Sequence, residues 1–426
     1  MSNDVYSTAD RALEEMVSVG FEQAQVSVTI SDQDELNIMH NEPSLLRSTE
    51  DHALSLTGIV DGRKAVMALT DLSPGAMVDG VSELIERARL APQDEANAVS
   101  EGEESHFEQG PLEGDMDLMA LKVEELIDFR ASHTPKMQIE EGAAVHRVAR
   151  ECLVTSGGTR LTCEVGCYQL QVFGAATDGD KTSSFNYTGG STNALAGTHA
   201  SDHFGIGEMM AETEQQIETS AISGNFVGDI ILAPGAVMDL LGWLLGQIRD
   251  MSLIADTSLF KERVGEQIAS DKLNVRSRFD GAGHVPWSAD GFVAHPLTLL
   301  QDGRLNYLLP SLYGSLKTGI KHTPSSSGWS IDAGDTAKAD MIEDIEQGAM
   351  VNRLSMGSPG PGGDFSGVIK NSFIITGGQM GQALSETMIA GNMASMLNDI
   401  VSLSSEHLDN GSHDFPWIRI ANLNFS

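Results

Sequence analysis

Ala53-Leu-Ser-Leu-Thr-Gly-Ile-Val60, Asp61-Gly62 and Lys64-Ala-Val-Met-Ala-Leu69 form the stretch that sets the architecture. Residues 53–60 alternate apolar and polar, and a second apolar run starts just beyond the Asp-Gly pair. A period of two closed by Asp-Gly is a β-hairpin, because those residues tolerate the positive φ that a two-residue connection demands. On its N-terminal side, Ala24–Ile30 and Glu35–His40 alternate as well, and Ser7 is placed to cap a helix carrying Ala9, Leu13, Met16 and Val17. On its C-terminal side, Ser73-Pro74 opens a second helix with Val78, Val81, Leu84, Ile85 and Ala88 on one face.

Further along, residues 92–114 lose all apolar period. Asp94-Glu95, Glu101, Glu103-Glu104 and Glu108 read as an exposed acidic connection. A helix is expected over Asp115–Ser132, then strands over Gln138–Glu151, Leu153–Thr155, Leu161–Val172 and Ser183–Tyr187. A long polar helix over His203–Ser220 follows, then a strand over Gly228–Leu232 and an apolar helix over Ala236–Asp250. Short strands are expected at Phe292–His295, Leu297–Gln301 and Leu305–Leu308, loops at 325–336 and 355–367, a final helix over Ser385–Ser404 and a closing strand at Trp417–Ile420. The expectation is an α+β chain. Residues 1–220 form an N-terminal α/β domain of strands with flanking helices. Residues 221–426 form a C-terminal domain of mostly antiparallel β-sheet with a few helices.

Composition narrows the function. With 26 Lys+Arg against 61 Asp+Glu, the 426-residue chain carries −35, so a polyanion would be repelled over the whole surface and nucleic acid and anionic membrane are excluded as partners. The apolar run near Leu240–Leu245 is far short of the roughly 20 residues of a membrane span. The start, Met-Ser-Asn-Asp-Val-Tyr-Ser-Thr, has no basic region followed by an apolar run, and a cytoplasmic protein is expected. Three cysteines exclude a disulfide scaffold. Cys163 and Cys167 fall on one strand face and read as reduced core thiols, with a metal pair as the alternative.

No P-loop, G-x-S-x-G or H-E-x-x-H occurs, and Gly357-Ser-Pro-Gly-Pro-Gly-Gly-Asp364 does not open a helix after a strand, so it is no dinucleotide fingerprint. His199 and His203, beside Asp202 and with Glu208 a turn beyond, have the i, i+4 spacing of a metal pair. Gly197, Gly205 and Gly207 argue against a regular helix there and favour solvent-exposed polar residues. The Gly-rich loop reads either as the lining of a substrate cleft or as a tight structural turn.

Gly363-Asp-Phe-Ser-Gly-Val368, Ile374–Gly378, Glu386-Thr-Met-Ile-Ala-Gly-Asn392 and Met396-Leu-Asn-Asp-Ile400 together resemble the TldD/PmbA family. Its members are paired subunits of a bacterial peptidase, also labelled modulators of DNA gyrase. Leu69-Thr-Asp-Leu72, Ser258-Leu-Phe260, Val264-Gly-Glu266 and 340–348 agree, so the likeness covers nearly the whole chain. In this family TldD-type chains hold zinc through an H-E-x-x-x-H helix and a cysteine near the C-terminus. The corresponding helix here, Ala236–Asp250, has neither His nor Glu, and no cysteine follows Cys167.

The resemblance therefore implies a TldE/PmbA-type subunit. Such a chain pairs with a zinc-bearing TldD-type subunit in the cytoplasm, holds no metal or other cofactor itself, and shapes a cleft in which unfolded or extended peptides are degraded or matured. It assigns no catalytic residue. It directs attention to Gly362, Gly363, Asp364, Phe365, Ser366 and Gly367 as a loop touching peptide or partner. The alternative is a non-enzymatic homodimeric peptide-binding or regulatory protein. Two places depart from the family: Ala289-Asp290-Gly291 replaces Asp-Glu-Gly, and Lys317-Thr-Gly-Ile-Lys-His322 replaces a Thr-Gly-Asn-like turn.

Overall fold

A computed structural model describes residues 4–325, 328–385 and 387–426. The first half runs α1 (Val5–Ser18), β1 (Gln23–Met39), β2 (Glu42–Val60), β3 (Arg63–Leu69), α2 (Pro74–Leu90), β4 (Glu104–Gln109), α3 (Met116–His133), β5 (Met137–Thr155), β6 (Arg160–Asp178), β7 (Lys181–Thr182), β8 (Asn186–Thr192) and α4 (Ile206–Gln215). Its strands form an eight-stranded sheet ordered β3-β2-β1-β5-β6-β4, with β7 and β8 also on β6. Every pairing described in it is antiparallel except β4 with β6.

The hairpin at Asp61-Gly62 is present, with Val60 opposite Arg63 and positive φ at both turn residues. Alternation then decides the faces. Val26, Val28, Leu54 and Leu56 pack under α1 and α2, while Ile38, Leu170 and Val172 pack under α3 and α4. Each such aliphatic side chain contributes roughly 1.5–3 kcal/mol when fully buried. The opposite face, with Leu153, Leu161, Cys163 and Val165, is covered by Trp287 from the second half.

That second half contributes β9 (Thr219–Ser220), β10 (Phe226–Leu232), α5 (Pro234–Gln247), α6 (Asp250–Ile254), β11 (Val275–Arg278), β12 (Thr298–Gln301), β13 (Arg304–Leu305), α7 (Leu312–Thr318), β14 (Gly328–Ile331), β15 (Gln347–Val351) and β16 (Arg353–Met356). It closes with β17 (Asp364–Lys370), β18 (Phe373–Thr376), β19 (Gln379–Leu384), β20 (Met388–Asn392), α8 (Met393–Asn398), β21 (Ile400–Asp409) and β22 (His413–Phe425). Its 14-stranded sheet is ordered β13-β12-β11-β14-β22-β10-β15-β18-β19-β9, with β20 and β21 also on β22, β17 on β20 and β16 on β17. The largest core of the molecule lies between this sheet and α5 and includes Leu240, Leu244, Phe260, Trp329, Met396 and Phe425. The mixed α+β class holds. Among the described residues, no helix is long and apolar enough to cross a membrane.

Several local expectations fail for identifiable reasons. Asp4, not Ser7, caps α1, its carboxylate accepting from the Tyr6 and Ser7 amides. The supposed acidic connection is partly inside: Ser100 is 0% exposed, and residues 104–109 form β4. Polar bonding replaces the missing apolar period there, since Val99 N–H donates to Gln23 Oε1 and Thr155 Oγ1 donates to the Ser100 carbonyl. The expected helix at 385–404 is strand, short helix and strand, because Asn392 caps α8 at its own position; Glu386 lies outside the described residues. The loop expected at 325–336 contains β14, which buries Trp329; Ser326 and Ser327 lie outside the described residues. The strand expected at 292–295 is only a Trp287–Val293 bridge.

Candidate functional site around helix α5

Helix α5 starts where β10 ends. Pro234 occupies its first turn, and the Ala233 amide donates to the Val351 carbonyl of the neighbouring strand. Ala236, Val237, Leu240, Leu241, Leu244 and Leu245 are buried, which fastens the helix to the sheet. On the remaining stripe Gly235 and Gly246 are exposed, while Asp239, Gly242 and Trp243 are half-buried at helical spacing between them. A Cβ added to Gly242 or Gly246 would meet nothing within 4 Å, so the helix backbone lies open along this stripe.

Asp239 is the only ionisable side chain on α5. Burial, with no hydrogen bond and no neighbouring charge among the described residues to offset it, pushes its pKa up to about 6. One turn on, Trp243 meets Phe260 edge-on at 5.9 Å, and its Nε1 is buried without a partner among the described residues.

The loop singled out from the sequence sits against this tryptophan. Gly363 has φ +89°, and a Cβ there would stand 2.9 Å from Trp243 Cζ2. Asn392 ties the loop to α8: its Nδ2 donates to the Gly362 carbonyl at 2.7 Å and to Asp364 Oδ1 at 2.9 Å, while its Oδ1 accepts from the Ala394 and Ser395 amides. Gly362, Gly363 and Asp364 therefore converge on α5 and α8. Asp364 opens β17, and Phe365, Ser366 and Gly367 continue it, with Phe365 and Gly367 buried and Ser366 exposed.

Both ends of α5 open into cavities. At its C-terminal end, about 370 Å³ is lined by Arg249, Asp250, Asp290, Ser311 and His322. Here Ala289-Asp290-Gly291 has a structural task. Asp290 accepts from the Leu312 amide at the start of α7 and from Ser288, while Asp250 accepts from the Ser311 amide and hydroxyl. Burial raises the Asp290 pKa, but His322, the Leu312 amide and Ser288 outweigh it and hold the group below its ordinary value.

At the N-terminal end, about 210 Å³ separates the two halves of the chain. Asn352 Nδ2 donates to Glu212 Oε2 at 2.6 Å, and burial followed by repulsion from Glu208 pushes Glu212 up to about 7. Lys338 pairs with Glu208 and lies 4.1 Å from the Trp417 ring. A larger groove of about 740 Å³ lies on the first sheet, lined by Met39, Leu45, Phe173 and Tyr187 among others.

The other sequence candidates do not converge. His199 caps a short 3-10 turn, but the backbone leaves helical geometry at His203 (ψ 131°) and Phe204 (φ 55°), so the i, i+4 rule does not apply. His203 is also buried rather than solvent-exposed, packed against Phe204 with Nε2 unpartnered. The helix expected over 203–220 is confined to α4, because Gly205, left-handed at φ +67°, starts it late. Cys163 and Cys167 are free and buried, and burial pushes the Cys163 thiol up to about 12. A protonated thiol is a poor ligand. Among the described residues, no group of three or more His, Cys, Asp or Glu is arranged to hold a metal.

Sequence reasoning passed over Asp239. The available signal was a lone acid inside an apolar helix flanked by glycines at 235, 242 and 246.

Residues 224–426 match the family described as the PmbA/TldA metallopeptidase C-terminal domain. The chain is 23% identical to the metalloprotease PmbA of Escherichia coli O157:H7, covering 96% of each protein. TldE from Thermococcus kodakarensis shares the fold with a TM-score of 0.80 at 19% identity, over 97% of this chain and 100% of that one. A Bacteroides thetaiotaomicron protein named for modulation of DNA gyrase gives 0.84 at 19% identity, over 100% and 99%. Fold and matched domain thus define a metalloprotease-like protein of two sheets with α5 laid along the second. Residues 224–426 belong to that C-terminal domain family, and the chain as a whole is similar to the TldD/PmbA proteins.

Proposed function

We propose that this chain is the TldE/PmbA-type subunit of a two-chain zinc metallopeptidase, which shapes the peptide cleft and leaves the metal to a TldD-type partner. One observation carries this reading. Helix α5, which the resemblance puts in the metal-binding position, offers a single carboxylate, Asp239, with no imidazole, and no cysteine follows Cys167. Zinc requires three protein ligands of these kinds in a catalytic site, so the residues of α5 do not fit it and no step through a metal is assigned to this chain. The substrate is an unfolded or extended peptide, degraded or matured in the cytoplasm.

One feature supports a partner other than a second copy, and another offers a place for it to dock. Each chain carries −35, and like-charged copies repel. Residues 42–53 of β2 pair with β1 but have no strand on their outer side among the described residues, and this edge is suited to main-chain pairing with another chain. Exposed Leu45, Leu46 and Tyr187 lie on or near it.

The test is metal content and peptidase activity with and without a TldD-type chain. The expected result is no stoichiometric zinc in the isolated protein and turnover only in the pair. Stoichiometric zinc in the isolated chain, or hydrolysis by it alone, overturns the reading.

A further inference from the structure

Asp239 is a charge without a partner. Other half-buried acids in the protein are matched: Asp229 by Arg419 at 2.8 Å, Asp290 by the Leu312 amide at 2.7 Å and Asp409 by Arg278. Among the described residues nothing donates to Asp239. An unpaired carboxylate drawn partly out of water is destabilising, so its place in the middle of an apolar helix serves no packing purpose.

Its surroundings point outward. The stripe on either side is glycine, with open space above Gly242 and Gly246 and the nearest atom to a Cβ at Gly235 lying 3.8 Å away. The next turn carries a second unmatched polar group, the Trp243 indole N–H. Gly363, which bears on that indole, is followed by an exposed carboxylate, Asp364, whose described side-chain partner is the neutral amide of Asn392. The site therefore presents negative charge, a tryptophan and accessible backbone, on a protein whose overall charge of −35 draws in cations.

We propose that Asp239 binds a cationic group of an extended peptide, either its α-ammonium or a Lys or Arg side chain, seated on the glycine-lined face of α5 beside Trp243. This rests on the peptide-binding role proposed above and specifies what the cleft recognises. The ligand's N–H groups supply the donors that the carboxylate lacks, and charge-assisted bonds of this kind are the stronger class. Asp239 acts here as a binding residue, with no role in bond cleavage.

The test uses the 426-residue chain and fluorescence anisotropy with four labelled octapeptides of one sequence. These carry a free or acetylated N-terminus, each combined with an internal lysine or norleucine. The peptide with both positive charges is expected to bind roughly tenfold or more tighter than the one with neither. The singly charged peptides tell which source of charge is read. Asp239→Asn is expected to abolish the preference, and Asp239→Glu to retain part of it.

Asp239→Asn is also expected to raise the thermal midpoint at pH 8, since it removes an unpaired buried charge; a purely structural aspartate would lower it. Equal binding of charged and neutral peptides, no binding of any of the four, or an unchanged preference in Asp239→Asn overturns the proposal. Zinc in the isolated chain would overturn the subunit role while leaving this charge preference separately measurable. Intact activity in the pair without a charge preference would overturn this inference alone.

Discussion

Gly363 leaves no room for a side chain beside Trp243: a methyl group there would come within 2.9 Å of the indole, and the backbone is already at φ +89°. The Gly-rich loop is thus seated on α5 by a glycine that nothing else can replace. Gly363→Ala is expected to destabilise the protein by about 1–3 kcal/mol, from left-handed strain plus the displaced indole. Gly362→Ala, whose Cβ meets nothing within 4 Å, is expected to stay within about 0.5 kcal/mol of the parent. Thermal unfolding followed by tryptophan fluorescence separates the two, and equal losses would mean that the loop is not seated as described.

Asn392 joins two tasks, capping α8 and holding the loop through Gly362 and Asp364. Replacing it by alanine is expected to cost about 1–2 kcal/mol for the cap alone. Asn392→Asp keeps the cap acceptor but loses the donor to Gly362 and adds repulsion with Asp364. Faster proteolysis within 357–363 in the aspartate variant, with most of the stability kept, is the expected signature in limited digestion.

Glu212 sets a pH dependence at the junction of the two halves. Its pKa is about 7 in the folded chain against an ordinary 4.5, so the folded state holds the proton more tightly. Stability therefore falls as pH rises from about 4.5 to about 7, and the loss persists above that window. Glu212→Gln can still accept from Asn352 and is expected to match the parent near pH 4 but to exceed it at pH 8. Parallel stability curves for the two proteins across that range would count against the assignment.

Salt is expected to stabilise the chain. At −35 the folded surface repels itself, and raising ionic strength shortens the screening length from about 10 Å at 0.1 M to about 3 Å at 1 M. The thermal midpoint in sodium chloride should rise over that range, while an uncharged osmolyte at equal osmolality should not reproduce the part of the rise due to screening. A midpoint that falls or stays flat with salt would show that local ion pairs outweigh the global repulsion.

Much of the first sheet was legible because its signals are local. Alternation in 24–30, 53–60 and 161–172 and the Asp61-Gly62 turn each act within a few residues, and all are realised in β1, β2, β3 and β6. The segment 92–114 was misread because its burial comes from bonds to Gln23, Thr155 and Thr159, residues distant in the chain. The 385–404 segment was misread because its methionines and leucine keep an apolar count that fits either period, and the Asn392 cap decides between them.

The same division runs through the candidate site. Sequence alone determined that α5 is an apolar helix without imidazole or thiolate, that the 357–364 loop is glycine-rich, and that the surface is strongly acidic, since these follow from residue identity and short-range periodicity. Only the tertiary structure decided that Gly363 lies on Trp243, that Asp239 is left without a partner, and that His199 and His203 point to no common centre. Those facts depend on which distant strands bring their loops to the helix, and burial and hydrogen-bond matching exist only once the chain has closed on itself.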